Sequence, residues 1–141
     1  MKILFLTTLF ILITSIAVAD YTIRSAYKFE NIDMIKNSDG SNIMNTTATG
    51  VNAYSTGDTV IIKCLVNLKN SILTGSCQGS DKDGDIEYTT VERDISKGNK
   101  GIMKRIGGTG KYENRSSTCE YVVELTDFSV GVGYLTANCK E

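Results

Sequence analysis

Three stretches of this chain carry residue types that could do chemistry. The first is Asp81-Lys82-Asp83-Gly84-Asp85, with Glu87 and Glu92 beyond it. Hard oxygen donors at alternate positions are what Ca2+ needs, and counting from Asp81 puts Glu87 seventh and Glu92 twelfth in a calcium loop. Position six is Ile86, where the bend of an EF-hand loop takes Gly, and the flanks are strand formers rather than helix formers. The two readings are therefore calcium ligation by Asp81, Asp83, Asp85 and Glu92, and a plain acidic hairpin turn. The second stretch is Gly107-Gly108-Thr109-Gly110-Lys111-Tyr112. A phosphate loop fails here, because Arg105 stands at its first Gly position and Tyr112 at its Ser/Thr position. A dinucleotide fingerprint fails at Glu113, leaving a tight strand exit with positive φ at one or more glycines. In the third stretch, Ile86, Tyr88, Thr90 and Glu92 share one face of an expected strand. If Ile86 points inward so does Glu92, and a buried Glu is the one candidate catalytic base; otherwise it sits in water at a rim. The chain has no His, which removes Ser–His chemistry and the commonest metal ligand.

Four cysteines, Cys64, Cys77, Cys119 and Cys139, allow three disulfide connectivities. Turn geometry selects one. A two-residue hairpin loop at Asn70-Ser71 puts residues opposite when their numbers sum to 141, as Cys64 and Cys77 do. The same register sets Ile62 against Gly79, Val66 against Gly75 and Leu68 against Leu73, which gathers apolar and Gly residues on one face. A five-residue loop centred on Ser129 makes opposed residues sum to 258, which matches Cys119 with Cys139, Val123 with Leu135 and Leu125 with Gly133. The expected bridges are Cys64–Cys77 and Cys119–Cys139, each worth about 3 kcal/mol in the chain-entropy model. Zinc is disfavoured: no C-x2-C spacing and no His completes a site.

These bridges need an oxidising compartment, and the N-terminus supplies the route. Lys2, an apolar run over 3–17 and the small-x-small site Ala17-Val18-Ala19 read as an export signal cleaved after Ala19, to the periplasm or the medium. Residues 20–141 are then one domain, large enough for a core. Removing Lys2 leaves 14 basic against 16 acidic residues, so no nucleic-acid partner is expected. No stretch is long enough for a comfortable helical span. Asn45-Thr46-Thr47 and Asn114-Arg115-Ser116 are N-x-S/T sequons, relevant only in a eukaryotic secretory pathway.

Strands are expected over 21–30, 47–54, 59–68, 72–79, 85–93, 101–107, 118–125 and 132–139, joined by short Gly-, Asn- and Asp-rich turns. Short links make an antiparallel meander, and eight strands can close into an all-β, up-and-down barrel without an open edge. Segment 31–45 is the least strand-like and reads as a flap or long loop. Gly75, Gly79 and Gly133 on the inward face suit a narrow interior, strong coiling or space for a ligand.

The Gly107–Tyr112 run, with Asp83-Gly84-Asp85 and a cysteine-bearing strand before it, resembles the allene oxide cyclase/dirigent-like barrel superfamily, a calycin-type architecture, and more narrowly its small secreted bacterial members. After Lys111-Tyr112 the chain departs from the family, with Glu113-Asn114 where a small residue and Gly are usual. The resemblance implies an eight-stranded barrel whose central cavity, in some relatives, holds an apolar small molecule. No catalytic position carries over. The functional expectation is an exported, non-enzymatic barrel that binds a small apolar ligand or a partner surface. The alternatives are a barrel isomerase or cyclase using a cavity carboxylate such as Glu92, and a structural envelope domain. No cofactor is implied beyond the calcium reading.

Overall fold

The computed structural model describes residues 20–141, so the expected export signal over 1–19 lies outside the described residues. Eight strands follow in chain order: β1 (Tyr21–Lys36), β2 (Asn42–Tyr54), β3 (Thr59–Lys69), β4 (Ile72–Asp81), β5 (Ile86–Asp94), β6 (Lys100–Gly108), β7 (Ser117–Asp127) and β8 (Val132–Lys140). Each pairs antiparallel with the next, and β8 returns to β1, which closes the barrel. Alternation drives the closure. Tyr21, Ile23 and Ser25 point in while Thr22, Arg24 and Ala26 point out, and β3 buries Val60, Cys64 and Val66 in the same way. An eight-stranded interior is just wide enough for side chains or one small ligand.

The local turn chemistry acts as expected. Asn70 and Ser71 both adopt positive φ, 51° and 65°, as a two-residue type I′ hairpin requires. The β3–β4 register therefore places Cys64 opposite Cys77 and Leu68 opposite Leu73. Both disulfides, Cys64–Cys77 and Cys119–Cys139, are formed, and no cysteine is free among the described residues. Paired cysteines of this kind belong to an oxidising environment.

Two expectations are corrected. Segment 31–45 is not a flap or irregular loop: β1 runs 16 residues to Lys36 and β2 starts at Asn42. A bulge between Glu30 and Asp33, with Asn31 at φ 52°, marks where the hairpin leaves the barrel. Beyond Lys28, β1 has no β8 ladder partner, so Ile32, Met34 and Ile35 are exposed. With no core to face, this stretch has no reason to alternate, which hid it in the sequence. In the last hairpin the expected register holds from Cys119 to Val123 and then shifts. Leu125 faces Tyr134 rather than Gly133, and the loop shortens to 128–131. The bulge at Glu124 turns Leu125 out to solvent.

The barrel has two unlike ends. One carries the β2–β3, β4–β5 and β6–β7 turns together with both chain ends; the other carries the remaining four hairpin turns.

Candidate functional site

Strand β5 enters the barrel with the parity opposite to that assumed for Glu92. Glu92 is exposed on the outer wall, so it is not a cavity carboxylate. Glu87 points in instead and is only 1% exposed. The signal for this lay in the acidic turn. A hairpin centred on Asp83 pairs residues summing to 166, which sets Thr89 opposite the inward Cys77 and carries Glu87 and Arg93 inward with it.

Glu87 lies beneath the centre of the barrel. The Tyr54 hydroxyl donates to its Oε1, and Arg105 Nε donates to its Oε2 at 3.1 Å. The Arg105 guanidinium sits 5.2–5.6 Å from the ring centres of Tyr21, Tyr54 and Tyr112, a cation held among three aromatic faces. It also reaches Glu141 at 3.3 Å, while Tyr21 and Ser117 share a 2.6 Å hydroxyl bond. Burial raises the Tyr54 phenol well above its ordinary pKa, and the facing Glu87 carboxylate adds to the shift. Both Glu87 oxygens are engaged, so this cluster closes one end of the barrel rather than offering a free base.

The motifs singled out for chemistry build the outside of that plug. Asp81 Oδ1 accepts the backbone N–H groups of Asp83 and Asp85, at 2.9 and 3.0 Å. The Lys111 ammonium bridges Asp58 and Asp81 at 2.7 and 2.8 Å, and its backbone N–H donates to Asp85 at 3.1 Å. Thr109 exchanges bonds with the Ile86 backbone. Gly110 is required there, since it has φ 52° and a methyl group would collide with the Asp85 carboxylate. The Gly-rich run is thus a clasp over the acidic turn. The proposed calcium set is not assembled: Lys111 occupies the Asp81 carboxylate, and Glu92 lies on the far part of β5, opposite Thr74. Thr74 is seven residues from Asp81 along β4, about 23 Å at the usual strand rise. Among the described residues no group of three or more acidic, His or Cys side chains could hold a metal ion.

Above the plug, toward the other end, the barrel contains a cavity of about 80 Å3. Apolar groups dominate its wall, with Phe29, Ile62, Leu73, Val91, Met103 and Leu135 around the Cys64–Cys77 bridge. Tyr27 and Tyr121 flank the mouth, each lying over a glycine of a neighbouring strand, Gly133 and Gly101, where a side chain would collide with the ring. The inward glycines are therefore filled by neighbours: Val91 packs at Gly75, and Val60 and Glu87 at Gly79. Four polar residues also line the cavity: Ser25, Asn52, Thr89 and Arg93. Asn52 is 3% exposed and its Oδ1 has no hydrogen-bond partner; Arg93 Nε is likewise buried without one. Buried polar atoms are rarely left this way unless a ligand or water completes them.

A larger concavity of about 1030 Å3 lies on the outer wall across β1–β6. It is an open surface whose outward groups, such as Asn67, Ser76 and Lys104, meet water, so it makes no comparable demand for an occupant. Arg93 borders both spaces.

No family model matches the sequence, and no curated protein matches it. Among solved structures, the pterocarpan synthase dirigent protein GePTS1 resembles it with a TM-score of 0.56 and 11% identity, over 86% of this chain and 87% of that one. Likeness at that identity concerns the fold, and it agrees with the strand order: this chain is a closed, eight-stranded antiparallel barrel of the dirigent-like type.

Proposed function

We propose that this protein binds a small, mostly apolar molecule inside its barrel, admitted at the end opposite the Glu87–Arg105 plug. One observation carries the reading: an apolar cavity whose wall holds an unpartnered Asn52 carboxamide oxygen. Apolar walls with a few convergent polar groups are the usual form of a ligand site. A volume of 80 Å3 is about half that of an engineered cavity that takes benzene. The occupant therefore inserts a short apolar end and rests the remainder among Tyr27, Phe29, Leu73 and Leu135 at the mouth. Asn52 Oδ1, opposite Ser25 at the deep end of the cavity, marks the polar spot where a water or a donor on the occupant is held. The reading needs no catalytic group. The two disulfides support a place outside the cytoplasm, reached by cleavage behind Ala19, which an intact mass beginning at Asp20 checks.

Titration with 1-hexanol tests the cavity. Saturable NMR shifts are expected for the methyl groups of Ala48, Val91, Met103 and Leu135, and not for those of the outward Ile61 and Leu65. Inward methyls that stay still up to the solubility limit refute the proposal.

A further inference from the structure

We propose that the ligand is an anion whose carboxylate is held by Arg93 at the cavity mouth, with its apolar tail inside the barrel. This rests on the cavity reading above and adds the charge of the occupant.

Arg93 differs from the other inward cation. Arg105 has Glu87 and Glu141 as partners and three tyrosine rings around it. No carboxylate pairs with Arg93 among the described residues, and its Nε is buried without a hydrogen bond. Its sequence neighbours do not supply one. Glu92 points outward by strand alternation, and Asp94 accepts from Ser96 and pairs with Lys97 at 3.2 Å. Across the ladders Arg93 faces Leu73 on β4, and the β6 register continues it to Gly101, which has no side chain. Tyr121 lies over Gly101, and its hydroxyl makes only a long 3.5 Å contact with the Glu92 carbonyl. That phenol, and Tyr27 two strands further round the mouth, remain available as donors.

Arginine keeps its charge under all ordinary conditions, so it cannot relieve burial by losing a proton. Half-burying its guanidinium over an apolar cavity is costly unless an anion accompanies it. The guanidinium fork matches a carboxylate bidentately, and such charge-assisted bonds are among the strongest available to a protein. A neutral ligand can accept from Arg93 Nε but leaves the guanidinium charge unpaired; a short carboxylate pairs with that charge at the mouth while its apolar tail covers the apolar part of the wall.

The experiment compares hexanoate with 1-hexanol at fixed ionic strength. It follows the inward methyl signals and the Arg93 Nε–H resonance in the intact mature protein. The expected result is at least tenfold tighter binding of hexanoate, with a displaced Arg93 Nε–H signal. Arg93→Met should reduce hexanoate affinity to that of hexanol, and Arg93→Lys should keep part of the preference. Equal affinity of the two probes for the unaltered protein overturns the anion assignment and leaves the cavity reading standing. So does a hexanoate preference that survives Arg93→Met. Failure of both probes to move the inward methyls overturns the cavity reading and this inference with it. The comparison on the unaltered protein is decisive even if a variant fails to fold.

Discussion

Asn52 and Glu87 are both buried polar side chains, yet their energetics have opposite sign. The Asn52 oxygen lacks a partner, so it carries a desolvation penalty with no return. Asn52→Leu, nearly the same size, is expected to raise stability by about 1 kcal/mol while loosening ligand selectivity. Glu87 is bonded by Tyr54 and Arg105, and removing its charge leaves the buried guanidinium with only the part-exposed Glu141 as an anionic partner. Glu87→Gln is expected to cost about 3 kcal/mol. Urea midpoints of the two variants should move in opposite directions; a loss of stability in both would mean that Asn52 serves the fold rather than a ligand.

Among the elements, β1 bears the most. It closes the barrel against β8, and its Tyr27 lies across Gly133. Gly133→Ala would push against the far end of that ring, which can swing aside. Gly50→Ala would instead drive a methyl into the Ala26 carbonyl and the Tyr27 backbone, which cannot yield without breaking the β1–β2 ladder. Gly50→Ala is therefore expected to lower stability by about 2 kcal/mol or more. Gly133→Ala should lose less stability and change hexanol affinity more. Thermal unfolding and the NMR titration, run on both, check this order.

At the scale of the whole molecule, the closed end is polar and charged and the open end is apolar. The plug tyrosines, together with Tyr121 at the mouth, give the barrel its response to high pH. Burial raises the phenol pKa values of Tyr21, Tyr54, Tyr112 and Tyr121, the last two to about 12. Unfolded tyrosine ionises near 10, so between about pH 10 and 12 the unfolded chain holds fewer protons than the folded one. The contribution of these phenols is whole below about pH 10 and falls as pH rises. Urea midpoints taken from pH 9 to 11.5 should decline steadily, with phenolate absorbance lagging that of unfolded protein; a flat midpoint would contradict the buried cluster. On the acid side, Lys111 holds the Asp58 and Asp81 carboxyls below their usual range. Their stabilisation is present above about pH 4 and is lost as pH falls through the lowered values.

Much of this architecture is written in local sequence. In a meander each strand pairs with its chain neighbours, so turn residues set most registers. Asn70-Ser71 alone positions Cys64 against Cys77, and the spacing around Ser129 positions Cys119 against Cys139. Strand alternation then sorts the faces, but only relative to an anchor. Taking Ile86 as inward reversed β5, and with it the roles of Glu87, Glu92 and Arg93. Bulges at 30–33 and at Glu124 escaped notice because an extra residue has no signature where both faces meet solvent. Closure around the axis decided the rest. It brought Glu87 from β5, Arg105 from β6, Tyr54 from β2 and Tyr21 from β1 together at one end, and left Asn52, just above that plug, and Arg93, toward the far end, facing the space between. Pairwise hairpins carry no information about such meetings across the barrel, because tilt and stagger of the whole sheet set which distant side chains share a level.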